Sequence, residues 1–118
     1  FKKDGMDKSK IFQTIKNLKF SNDVVDFYVK QNLDKNASFI KNDKKLILNK
    51  QFFQQPYEII FRALSESIKL IGNKYYYPRG RKLDKIIKDN EKNRLSKVTL
   101  GGCIIEKINQ TVIIYREN

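Results

Sequence analysis

Apolar positions recur along this chain at two spacings, and the switches between them mark out its elements. Ile11, Phe12, Ile15 and Leu18 step at helical intervals while Lys10, Lys16 and Lys19 lie off that stripe, and Asp7 or Ser9 stands where an N-cap is needed. A first amphipathic helix is expected there. Ser21 or Asn22 offers a second cap, and Val24, Val25, Phe27, Tyr28 and Leu33 form a broad apolar face running to about Lys35, so the two helices predict an αα-hairpin. The spacing then shortens. Phe39 and Ile40, the turn-forming Lys41-Asn42-Asp43-Lys44 and the run Lys45-Leu46-Ile47-Leu48 predict a small β-hairpin. Pro56 suits the first turn of a helix, and Ile60, Leu64, Ile68 and Ile71, with Ile59 and Ala63 beside them, predict that helix as far as Gly72-Asn73.

Tyr75-Tyr76-Tyr77-Pro78-Arg79-Gly80 reads as a loop, 81–92 as a further helix, and 97–108 and 111–116 as β-rich runs joined by a two-residue turn at Asn109-Gln110. Gly101-Gly102, inside the first run, suggests a β-bulge or a close approach of two backbones. The expected class is α+β: a helical hairpin, a small β-hairpin, two further helices and a C-terminal β-hairpin in one compact domain over 1–118.

Length agrees with that organisation, since 118 residues and 14.0 kDa suffice for one ordinary domain. With 40% hydrophobic residues and a mean hydropathy of −0.61, a soluble globular unit is expected, neither a disordered tail nor a membrane span. Absences narrow the chemistry. Without His or Trp, and with Cys103 as the single cysteine, the chain has no histidine base, no Ser-His-Asp triad, no Cys-pair metal site and no internal disulfide, which fits a reducing cytoplasm. Asp84, Asp89, Glu91, Glu106 and Glu117 are interleaved with Lys and Arg, which argues for solvated ion pairs over a metal or acid–base pair. No catalytic residue and no metal ligand is expected. The chain begins at Phe1, which suggests a segment of a longer protein with Met6 internal.

Net charge changes the picture further. Twenty-five basic against 13 acidic residues give +12, the signature of a polyanion partner. Twenty of those cations are Lys, and Ile (15) and Asn (11) are also abundant; all three have AT-rich codons, so an AT-rich genome would by itself supply part of the excess. Placement is more informative than the total. Residues 74–97 hold nine basic and three acidic residues, so half of the net charge (+6) lies in 24 residues. At about 100° per residue, Arg81, Lys85, Lys88 and Lys92 fall within about 60° of one another, opposite Leu83, Ile86 and Ile87. Such a ridge can follow a phosphate backbone, and Tyr76, Tyr77 and Arg79 just before it supply stacking groups for unpaired bases. Tyr76, Tyr77, Arg79, Arg81, Lys82, Lys85, Lys88 and Lys92 are the expected nucleic-acid contacts. Pro78 and the run Thr99-Leu100-Gly101-Gly102-Cys103 are expected to be structural, with Cys103 a buried inert thiol. Gly101-Gly102 is not followed by Lys-Ser or Lys-Thr and so is no Walker-type phosphate loop.

These motifs also carry a family resemblance. Gly5-Met6-Asp7 with Thr14-Ile15-Lys16-Asn17-Leu18, then Tyr76-Tyr77-Pro78-Arg79-Gly80-Arg81-Lys82-Leu83, then Thr99-Leu100-Gly101-Gly102-Cys103-Ile104-Ile105 and the closing Arg116-Glu117 resemble the region after the catalytic domain of alphaproteobacterial-type tRNA(Ile)-lysidine synthetases. The resemblance implies a cytoplasmic, ATP-dependent ligase that joins lysine to the wobble cytidine of the isoleucine tRNA with the CAU anticodon. ATP, magnesium and lysine would then belong to an N-terminal PP-loop domain with the signature Ser-Gly-Gly-x-Asp-Ser, which this sequence lacks: its Gly101-Gly102 pair is followed by Cys103 and Ile104. What it implies for this chain is the tRNA-recognising accessory region, inactive by itself and partnered by tRNA and by the PP-loop domain; a homodimer stays open. Two other classes fit the composition: a non-catalytic RNA-binding module such as a ribosome-associated protein, and a protein-interaction domain whose charge is compositional.

Overall fold

The computed structural model describes residues 23–40 and 44–117. The expected first helix, the Gly5-to-Leu18 part of the resemblance, and Lys41, Asn42 and Asp43 of the expected turn lie outside those residues. Within them run α1 (Asp23–Asn36), β1 (Ala37–Ile40), β2 (Lys45–Leu48), a 3₁₀ turn (Lys50–Gln54), α2 (Tyr57–Gly72), α3 (Gly80–Glu91), β3 (Lys97–Leu100), β4 (Cys103–Ile108) and β5 (Thr111–Arg116). The class is α+β, as the pattern predicts.

The strands form one antiparallel sheet in the order β1-β2-β5-β4-β3. Alternation assigns one face of it to the interior: Ala37 and Phe39, Leu46 and Leu48, Val112 and Ile114, Cys103 and Ile105 are all buried. Against this face lies α2, whose Ile60, Leu64, Ile68 and Ile71 stripe is 6% exposed or less. Helix α1 packs on α2 from one side through Val29 and Leu33, and α3 packs on it through Leu83, Ile86 and Ile87. Phe52, fully buried in the 3₁₀ turn, fills the space below α1. That turn was not legible as an element because five residues give no periodicity. The side chain of Asn49 caps it by accepting from the Phe52 N–H at 3.0 Å.

Two sequence expectations need correction. Residues 97–108 are not one strand. Gly101 and Gly102, with φ of +62° and +80°, make a two-residue turn that pairs Leu100 with Cys103, so the bulge is instead a hairpin. The C-terminal hairpin is accordingly a three-stranded meander, and β2 pairs with β5 in register Leu46–Ile114, which merges the small hairpin into the same sheet. The last helix also begins one residue early, at Gly80, and closes at Glu91 with Lys92 as its C-cap.

Candidate nucleic-acid interface

The end of α2 sets the position of the tyrosine loop. Asn73 takes the left-handed conformation (φ 55°), its N–H reaching Leu70 O and that of Lys74 reaching Lys69 O, both at 3.3 Å. This closing turn sends residues 74–79 back along the helix they have just left. Tyr75 is 91% exposed and stands edge-on to Tyr76 at 5.2 Å between ring centres. Tyr77 turns inward: Lys69 Nζ lies 4.9 Å from its ring centre and its hydroxyl faces the Glu66 carboxylate, while about half of the ring remains open.

The chain then enters α3 under unusual electrostatics. Arg79 occupies the N-cap without a side-chain cap bond, no acidic residue stands in the first turn, and Arg81 and Lys82 follow immediately. Three cations thus crowd the end of a helix where the backbone already presents free N–H groups and a partial positive charge. All three are exposed, and among the described residues none of them has an ion-pair partner. Lys92, at the other end, is likewise exposed and unpaired there.

The middle of the ridge differs from its ends. Lys85 pairs with Asp89 and Lys88 with Asp84, each at 3.2 Å across one helical turn. Asp84 also accepts from the Tyr57 hydroxyl, and that bond, followed by the contact with Lys88, holds its carboxyl below the ordinary range. Partial burial and the same bond push the Tyr57 phenol up to about 12. The eight residues expected to contact nucleic acid are therefore not equivalent. Tyr76, Tyr77, Arg79, Arg81 and Lys82 gather at the N-terminal end of α3, Lys85 and Lys88 are neutralised on its flank, and Lys92 stands apart.

Residues 78 and 99–103 support this corner. A Cβ on Gly101 would lie 2.8 Å from Ile68 Cγ2 and 3.6 Å from Pro78 Cβ, so the hairpin turn sits against both α2 and the loop. Thr99 is exposed and Leu100 is buried on β3. Gly102 accepts from the Glu117 N–H at 2.8 Å, and Arg116 Nε donates to Ile71 O at 3.2 Å. The motifs around 76–83, 99–105 and 116–117 thus converge on the C-terminal end of α2. Cys103 donates to Ile68 O at 3.3 Å, and burial pushes its thiol up to about 11, which leaves little thiolate to react at neutral pH.

Sequence reading missed Glu66, Arg62 and Lys69. On the helical wheel Glu66 stands away from the Leu64–Ile68 stripe and should be solvated, yet it is only 6% exposed because the loop eleven residues later covers it. Burial pushes its carboxyl above the ordinary range, against the Tyr77 hydroxyl and the charge of Lys69, which pull it down. The folded state therefore holds the Glu66 proton more tightly than the unfolded chain, and its contribution is greatest at low pH and fades as pH rises through the folded value. Melting the wild type and Glu66→Gln across about pH 4 to 7 should show the variant gaining on the wild type as pH increases. A constant difference across the series would mean that Glu66 titrates as it does in the unfolded chain.

Among the described residues no group of three or more His, Cys, Asp or Glu is placed to hold a metal ion, and no helix is long and apolar enough to cross a membrane. Comparison with known proteins gives two relatives. The chain is 38% identical over 73 residues to the tRNA(Ile)-lysidine synthase of Wolbachia sp. subsp. Brugia malayi (strain TRS), and equally to that of Wolbachia pipientis wMel. Each alignment covers 58% of this chain but 16% of the relative, so the chain corresponds to a small part of those enzymes. No family profile and no solved structure matches it. The resemblance to tRNA(Ile)-lysidine synthases read from the motifs is borne out.

Proposed function

We propose that this chain is the tRNA-binding accessory region of an ATP-dependent tRNA(Ile)-lysidine synthase, following its PP-loop domain and acting in the cytoplasm on the isoleucine tRNA with the CAU anticodon. The observation that carries the reading is the start of α3, where Arg79, Arg81 and Lys82 crowd an uncapped helix end whose first turn holds no acidic residue. Held by the fold, that cluster is favourable only when an anion sits on it, and a phosphate of the RNA backbone is the anion it fits. Tyr75 and Tyr76 beside it offer exposed rings for unpaired bases.

Catalysis is assigned to the parent enzyme, and this chain is inactive by itself. ATP, magnesium and lysine are assigned to the PP-loop domain, and the Gly101-Gly102 turn, where an added side chain would meet Ile68, Pro78 and Lys74, is assigned a structural role. The chain's own task is to hold and orient the tRNA so that its wobble cytidine reaches that domain.

Titrating the chain with the isoleucine tRNA bearing the CAU anticodon and with an unrelated tRNA, at two salt concentrations, tests this. The expected result is binding that weakens steeply with salt and favours the isoleucine tRNA. Equal affinity for both would reduce the chain to a non-catalytic, electrostatic RNA-binding module. Absence of binding at low salt would sink the reading.

A further inference from the structure

Between α2 and the tyrosine loop runs a groove of about 380 Å³, walled by Phe61 and Tyr77 and lined on its polar side by Glu58, Arg62 and Glu66, with Gly80 at its α3 end. Its charge is opposite to that of the surface around it. Arg62 donates to Glu58 at 2.6 Å, while Glu66, more than nine-tenths buried, presents a carboxylate whose neighbours are the Tyr77 hydroxyl and the charge of Lys69. In a chain of net charge +12, a buried carboxylate beside the most basic helix end excludes phosphate from the groove itself. A ligand that enters there must bring hydrogen-bond donors and a flat apolar face.

We infer that this groove takes an unpaired guanine base, its ring packed against Tyr77 and its adjacent N1–H and N2–H₂ donors received by the Glu66 carboxylate. The inference rests on the proposed binding of RNA, because the phosphates on either side of the base would lie against Arg79, Arg81 and Lys82. A carboxylate accepts about four hydrogen bonds, so the neighbouring Tyr77 hydroxyl leaves acceptor capacity for a base. Guanine is preferred on chemical grounds. Its Watson–Crick edge sets two donor groups side by side, whereas cytosine and adenine bring one amino group beside a ring acceptor that a carboxylate repels, and uracil brings one N–H between two carbonyls. Arg62, at the groove's edge, is a donor suited to the guanine O6.

Single-stranded oligouridines carrying one central guanosine, inosine, adenosine or cytidine, titrated against the whole 118-residue chain, test the assignment. The wild type should bind the guanosine oligomer at least about tenfold more tightly than the adenosine or cytidine ones. Inosine, which lacks the N2 amino group, should fall between them. Glu66→Gln should remove the preference for guanosine and leave the salt dependence unchanged, because no phosphate contact is lost. Tyr77→Phe keeps the ring but removes the hydroxyl beside the carboxylate, and should reduce the preference several-fold even if Glu66→Gln proves poorly folded. Binding without base preference, or an undiminished guanosine preference in both variants at wild-type melting temperature, would overturn the guanine pocket while leaving RNA binding intact. No binding to any oligomer, together with none to tRNA, would overturn both.

Discussion

Replacing Gly72 by Ala should lower stability more than any substitution on the exposed ridge. A Cβ at position 72 would stand 2.3 Å from the carbonyl oxygen of Gly101 and 3.2 Å from Cys103 Sγ. Neither neighbour has room to retreat. Gly101 is held by the φ of +62° that its turn requires, with Ile68 and Pro78 closing the space on its own Cβ side, and Cys103 is fully buried in β4. Relief would have to separate the end of α2 from the β3–β4 hairpin, which are the elements that place the tyrosine loop. A loss of about 3 kcal/mol is expected, the upper range for an overpacked core and a large share of the roughly 5–15 kcal/mol that holds such a domain together. Gly101→Val should be comparable: a β-branched residue at positive φ costs about 1–2 kcal/mol before its side chain meets Ile68. Gly102→Asn is the control. It also sits at positive φ, which Asn tolerates, and the atom it meets is the end of the flexible Lys74 side chain, so a change within about 1 kcal/mol is expected. Thermal melts followed by circular dichroism decide the matter; a Gly72→Ala protein melting with the wild type would show that the two backbones are not in fixed contact.

That contact also marks where the sequence stopped being legible. Helix α2 could be read residue by residue, because Ile60, Leu64, Ile68 and Ile71 face one sheet and repeat at its period. The β3–β4 turn could not, although Gly-Gly is a common hairpin dipeptide, because apolar β-formers continue on both sides of it and one long strand satisfies the same pattern. The pairing of β2 with β5 joins residues more than 60 positions apart and leaves no local trace. For the interface, the basic stripe of α3 was visible from spacing, and so was the pair of Asp84 with Lys88. Local spacing could not show that Asp84 also answers to Tyr57 across a helix interface, or that the loop folds back over Glu66. Both depend on tertiary approach. The consequence is that Lys85 and Lys88, in the middle of the ridge, are paired, while the cations at the start of α3 have no ion-pair partner among the described residues.

This asymmetry yields the second large expectation. Arg79→Ala combined with Arg81→Ala should weaken tRNA binding by at least about tenfold at low salt and flatten the log–log salt dependence by about 1.5, since each phosphate contact contributes about 0.7 to 0.9 to that slope. Stability should hold or rise slightly. Both side chains are exposed, neither is in an ion pair among the described residues, and removing two cations from the positive end of a helix relieves about 0.3–1 kcal/mol of repulsion for each. Lys85→Ala with Lys88→Ala removes the same charge from the same helix but from residues already paired with Asp89 and Asp84, and should cost several-fold less affinity. The contrast between these two double variants separates a placed phosphate site from a general positive field. If both lowered affinity and slope equally, long-range attraction would account for the binding and the start of α3 would lose its special role. If the arginine variant alone did so while melting at or above the wild-type temperature, the arginines would be held in an unfavourable position by the fold for the sake of the bound RNA.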